Sequence, residues 1–388
     1  MKKILKDDRG SISTVVLVTV LFFVTVLSTG YMIAATLRQG QLKSELVAKE
    51  TYEKPLNNLE ELADEIKGTL QSTAETTPYL PDDSFKKVPG TDLSKGLVIE
   101  DKYENQYVWV EVPKSLYNNI NYNSNNAKKP SSSTDYANIE YCLQQYTATY
   151  RNGTDYSDTY AADTDNVGWF ADAKAYNNLK NSMLKSVYEN GGFYVGRYEA
   201  GIGTNRTSKS ATNSDGKYTI EGMPTPVTKA DAYPYTYVTR TQAQNLASKV
   251  NAGTKTSSLM FGVQWDLVLA FMSRDTAKIT STDVLTENST TIGNYRDSTF
   301  DLNRGKYAQF GKLGNTWNNF DSALGSIVVS NETTGKMKKT EQSSDSNSIL
   351  ITTGGTEQSN VMNIYDIAGN VGEWTLEKNF RHRLSVCF

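Results

Sequence analysis

Between Gly10 and Leu37 the chain carries no charged residue, and the core of that stretch reads SISTVVLVTVLFFVTVLSTGYMIAATL. A helix that crosses a bilayer needs ~20 apolar residues, whereas the apolar part of a cleavable secretory signal runs to only ~7–15. The length and the absence of charge predict a transmembrane helix over residues 10–37, the plainer alternative being a buried core helix. Val15, Val16, Val18 and Val20 do not oppose helix in lipid, because every backbone group there must be paired within its own segment. Lys2, Lys3, Lys6 and Arg9 crowd the short tail ahead of it, which by the positive-inside rule puts residues 1–9 in the cytoplasm. Arg38, Lys43 and Lys49 on the far side work against that orientation. The expectation is a single-pass protein of the cell membrane with its C-terminal domain extracellular.

Residues 38–77 continue as a polar helix. Leu42, Leu46, Leu56, Leu59, Leu62 and Ile66 recur at helical spacing on a charged background, and Pro55 kinks the helix or starts a second one. Such a segment reads either as a stalk under a domain or as a surface for helix–helix assembly in a fibre. With the basic tail, Arg9-Gly10 and the hydrophobic stretch that follows at once, the N-terminus resembles a type IV prepilin leader. That resemblance implies cleavage after Gly10 and a pilin-like assembly. Val15 stands where the usual pattern has Glu, so a plain signal anchor is the competing reading.

Composition excludes several classes of function. The chain has 388 residues, a net charge of -3 and a pI near 5.5, so it offers no basic field to nucleic acid. Cys142 and Cys387 are the only cysteines and cannot build a disulfide framework; whether they pair with each other the sequence leaves open. His382, near the C-terminus, is the only histidine, which argues against His-rich zinc sites and a Ser-His-Asp triad.

The turn-rich stretch Pro78–Pro89 marks the start of a globular domain, expected over residues 78–377, with an atypical tail at 378–388. Tyr107–Val112 alternates and stops at Pro113, as a strand does. Residues 117–165 are rich in Asn, Ser, Tyr, Thr and Asp and read as a polar insertion that buries little surface. Residues 171–188 read as a helix closed by Glu189-Asn190-Gly191-Gly192, with Phe193–Tyr198 as the next strand. Trp265–Phe271 has the apolar spacing of a core helix, and the Lys336–Lys339 cluster reads as a solvated loop.

Four blocks in this order carry a family resemblance. They are Gly192–Ala200 (GFYVGRYEA), Tyr233–Thr239 with the helix Gln242–Val250, Ser257–Asp266 (SSLMFGVQWD) and Asn363–Thr375 (NIYDIAGNVGEWT). The last is the most specific. It resembles the Tyr-Asp-Met-x-Gly-Asn-Val-Trp-Glu-Trp stretch of the formylglycine-generating, or sulfatase-modifying-factor, enzymes. The resemblance implies an α+β, C-type-lectin-like sulfatase-modifying-factor fold with much irregular loop, here preceded by the transmembrane helix and helical stalk. Gly372 stands where the family has Trp.

In Tyr365–Thr375 a Gly-Asn turn separates Asp366 from Glu373, so both carboxylates and nearby carbonyls can converge on one point. Oxygen ligands of that kind suit calcium. The plainer reading is that Asp366 and Asn370 cap turns and Trp374 anchors the core. By family position the calcium ligands are the side chains of Asp366 and Glu373 and the carbonyls of Gly369 and Val371. The family's copper sits on two cysteines late in the domain; this sequence has no such pair after Trp374, so no copper and no catalytic residue is expected. The leading functional expectation is a membrane-anchored, adhesin- or pilin-like display protein for an unidentified extracellular ligand. Its abundant Tyr, Asn, Ser and Gly suit a recognition surface as well as they suit a merely solvated one. The alternative is a formylglycine-generating oxidase or related oxidoreductase whose C-terminal catalytic segment is missing.

Overall fold

Strand β3 (Gln106–Glu111) organises the fold, because its alternating side chains enter two different cores. The computed structural model describes residues 70–162, 169–206, 218–309 and 316–377, all within one compact unit, Asp64–Phe388. β1 (Lys86–Lys87), β2 (Val98–Glu100), β3 and β4 (Gly192–Gly196) form an antiparallel sheet in that order. Val98, Val108, Val110 and Phe193 face the main core. Leu97, Ile99 and Trp109, on the other side, pack with Phe85, Tyr79 and Leu80 in a smaller one.

Three helices cover the main-core face. They are α1 (Ser133–Thr147), α2 (Ala173–Asn190) and, after α3 (Arg240–Ala247), α4 (Gly262–Met272). α2 runs from the side chain of Asp172, which accepts from the Ala175 N–H, to Gly191 in the left-handed region, as its terminal glycines predict. A short α5 (Asp283–Thr286) follows, and the C-terminal half is built from small strands. β5 (Gly201–Ile202) pairs with β6 (Tyr233–Pro234). β7 (Phe300–Asp301), β10 (Val328–Ser330) and β11 (Met337–Lys339) form one sheet. β8 (Lys306–Gln309), β9 (Trp317–Asn319) and β12 (Ile349–Ile351) form another. Phe300, Tyr307, Val328 and Ile351 share a separate core.

The expected fold needs correction in its membrane part. Among the described residues no helix is long and apolar enough to cross a membrane. The physical reason is visible in the two best candidates. α2 has 18 residues but carries Lys174, Lys180, Lys185 and Glu189 along its length. α4 is almost wholly apolar but has only 11 residues, about 16 Å of helix against a ~30 Å hydrocarbon core. The described chain is mixed helix and strand, and it does not support the expected fold with a preceding transmembrane helix or the expected single-pass membrane location. Residues 1–9, 10–37 and 378–388 lie outside the described residues, as do residues 38–69 of the expected stalk.

Residues 70–77 of that stalk are not helical; they pack on the domain. Thr76 is fully buried. Its hydroxyl donates to the Gly191 carbonyl at 2.9 Å and accepts from the Trp109 indole N–H at 2.7 Å. Gly191 permits this approach: a Cβ there would sit 2.1 Å from the Glu75 carbonyl oxygen.

The segment 117–165, expected as a polar insertion, supplies α1 to the main core. Ile139, Cys142 and Leu143 are fully buried, and Tyr122, Tyr136, Tyr146, Tyr150, Tyr156 and Tyr160 pack around them. Tyr carries a large apolar ring behind its hydroxyl, so a Tyr-rich segment buries more surface than its polar composition suggests. The segment is then locked by charge. Arg151 pairs with Glu377 at 2.6 Å and Asp266 at 3.4 Å, and stacks on Tyr156 at 4.0 Å. Both Asp158 carboxylate oxygens accept from the N–H groups of Gly262 and Val263, capping α4.

Lys339 departs from the expected solvated loop in the same way. It is fully buried, and its ammonium donates to the carbonyls of Tyr295, Arg296 and Ser298. Burial pushes its pKa down to about 8, against the pull of Asp297 and Glu341.

Two stability outcomes follow from these contacts. Thr76→Val leaves the buried Trp109 N–H without its acceptor, and urea unfolding should show a loss of ~1–3 kcal/mol. Arg151→Met strands Glu377 and Asp266 in a buried site, and the same measurement should show a larger loss of ~3–5 kcal/mol.

Candidate functional site

The turn that carries Asp366, Gly369, Val371 and Glu373 sits where β12 meets the Asn294 segment, and its Asn residue holds them together. The Asn370 side chain accepts from the N–H of Ile351 at 2.9 Å and from Asn294 Nδ2 at 2.9 Å. It donates to the Ile351 carbonyl at 3.0 Å and to Glu199 Oε1. Its main-chain N–H donates to the Asn294 carbonyl at 2.9 Å. Gly369, with φ +72°, comes so close to Asn294 that a Cβ would lie 2.5 Å from that carbonyl oxygen. Asp366 and Asn370 also have positive φ, of 58° and 65°. Short polar side chains tolerate that region by bonding locally.

Asp366 does cap a turn. Its Oδ2 accepts from the Gly354 N–H at 2.6 Å, and its Oδ1 accepts from the Ser359 hydroxyl at 2.8 Å. Burial pushes its carboxyl up to about 6, although both hydrogen bonds favour the charged form. The Gly369 carbonyl accepts from the Val371 N–H at 2.9 Å.

The residue that sequence reasoning passed over is Glu199, just after β4. Burial, then Asp366, then Glu373 push its carboxyl well above the usual range, so these three acids share one electrostatic neighbourhood. Oε1 accepts from Asn370, while Oε2 is shut off from solvent with no hydrogen-bond partner. Glu199 lies within the first of the four family-like blocks, but nothing local in GFYVGRYEA shows that its carboxylate meets a turn more than 160 positions away. Among the described residues no set of three or more His, Cys, Asp or Glu is arranged to hold a metal ion. Asp366 and Glu373 thus each act on the Glu199 carboxyl, while Asp366 and the Gly369 carbonyl are engaged in turn hydrogen bonds.

Beside the turn, Tyr198 and Tyr365 stack with ring centroids 4.9 Å apart. Arg304 donates to the Tyr198 hydroxyl at 3.0 Å, and the Tyr365 hydroxyl donates to Glu357 at 2.9 Å. Of the thiols, Cys142 is buried, and burial pushes it up to about 12, which keeps it protonated and inert. Cys387 and His382 lie outside the described residues. No protein-family model matches the chain, and neither a curated protein nor a solved structure does.

The carboxyl cluster sets a pH dependence. Glu199 and Asp366 have folded-state pKa values above their unfolded ones, so the folded state holds their protons more tightly. Their contribution to stability is complete below pH ~4 and is lost as pH rises through the folded values. In chelator-treated buffer the melting temperature of the wild type should therefore fall between pH 4 and pH 7. Glu199→Gln should flatten that slope.

Proposed function

We propose that this chain is a non-catalytic binding protein whose domain is of the formylglycine-generating-enzyme type, with a calcium ion held at its acidic turn. The observation that carries the reading is Glu199 Oε2, shut off from solvent without a hydrogen-bond partner, on a carboxyl that burial and then Asp366 and Glu373 push well above its usual range. Such a cluster is relieved either by protons or by a cation. Oxygen donors without thiol or imidazole favour a hard ion, and calcium accepts six to eight of them in irregular geometry. The partnerless Oε2 of Glu199 fits that demand. By family position Asp366 and Glu373 would hold the ion with the Gly369 and Val371 carbonyls as main-chain donors, and Glu199 would have to turn toward them, since the three carboxylates as described are not arranged as a ligand set. Bound there, calcium would supply charge neutralisation and no redox chemistry. The resemblance of Asn363–Thr375 to the family's most specific stretch supports the same reading.

Calorimetric titration of the chelator-treated protein with calcium tests it. Binding heat and a rise in melting temperature that grows with calcium concentration are expected, as for any ligand that favours the folded state. Glu373→Gln should abolish both. Absence of heat and of any thermal shift in the wild type at pH 7 would overturn the assignment.

A further inference from the structure

We propose that the free edge of β4 is a docking site for an extended peptide segment, which adds to the sheet as a further strand. β4 is the outermost strand of the order β1-β2-β3-β4. Its flanking bonds fix which way its backbone groups point. The Gly191 carbonyl accepts from the Val112 N–H and the Arg197 N–H donates to the Gln106 carbonyl, both toward β3. Antiparallel pairing alternates, so Gly192, Tyr194 and Gly196 present their N–H and C=O groups away from β3. The Gly192 carbonyl is taken by the Ser186 hydroxyl of α2 at 2.8 Å. Among the described residues, no hydrogen bond reaches the main-chain N–H or C=O of Tyr194.

A cleft of about 550 Å³ lies along this edge. It is lined both by Tyr107 and Tyr194, from one face of the sheet, and by Phe193 and Val195, from the other. Residues of opposite faces line one cleft only where that cleft wraps a strand edge. The exposed side of α2 forms one wall and the segment after Ala252 the other. The volume falls in the ~300–1,000 Å³ range of ligand sites.

An added strand sends alternate side chains to opposite faces, and the cleft has apolar surface for both. Tyr79 and Phe85 wait on one side, Met183 and Met260 on the other. Lys185, Lys255 and Glu189 all line the cleft, so no single sign of charge selects the ligand. β4 (GFYVG) also lacks the Pro and Lys residues that proteins use to blunt an exposed edge. Backbone pairing at Tyr194 supplies the attachment, and the two apolar sides set which residues are tolerated.

The site is separate from the acidic turn, and working in chelator keeps the two proposals apart. A phage library of random peptides would be panned against the full chain, and enriched peptides would be synthesised and titrated. Peptides with alternating apolar residues are expected, and their binding should slow hydrogen exchange at the Tyr194 amide. Ser182→Trp, on the exposed face of α2, should fill the cleft and weaken binding at least ~10-fold with the melting temperature unchanged. Lys185→Trp provides a second obstruction at a surface position. The proposal fails if no peptide is enriched. It fails also if enriched peptides tolerate both tryptophans and leave Tyr194 exchange unaltered. Dimerisation that Ser182→Trp abolishes would assign the edge to a second copy of the chain instead.

Discussion

The pairing of β3 with β4 is the contact on which the described architecture depends. Val108 and Val110 point into the helix-covered core, while Trp109 points into the smaller core behind the sheet, and a slip of one residue would exchange them. The same pairing ends at Gly191 and Gly192, where α2 turns back into the sheet and where Thr76 joins the incoming chain to Trp109. It also leaves β4 as an edge, and thereby creates the cleft.

The other unifying constraint is the burial of charge. Arg151 and Asp158 of one segment meet Asp266 and Glu377 of two others, largely out of solvent. Burying such groups is costly unless each finds a partner, so the network is strict about geometry even where its net contribution to stability is small. Lys339 shows the same economy: a single ammonium satisfies carbonyls of three neighbouring residues and so fixes the segment that follows Asn294. Asn294 in turn positions Asn370. The acidic turn is thus held in place from several directions.

Tyrosine accounts for the main misreading of composition. The segment 117–165 looks like solvated chain when residues are sorted into polar and apolar, yet α1 and its tyrosines close one side of the core. The Tyr122–Tyr146 and Tyr160–Tyr176 ring pairs show that these rings serve packing. Much of the tyrosine content that suggested a recognition surface is therefore half-buried against the core.

Alone, the sequence determined what is local. The alternation of Tyr107–Val112, the capped ends of α2, the apolar run of α4 and the Gly-Asn turn near Asp366 are all written within a few residues of themselves, because strand period, helix caps and left-handed turns are short-range requirements. Tertiary structure decided what depends on distance. That Asp366 and Glu373 act on the Glu199 carboxyl, that Arg151 meets Glu377, and that β4 is the outer strand are facts of chain topology. No spacing encodes them, since electrostatic neighbours and sheet order are fixed only when segments far apart in sequence are packed together.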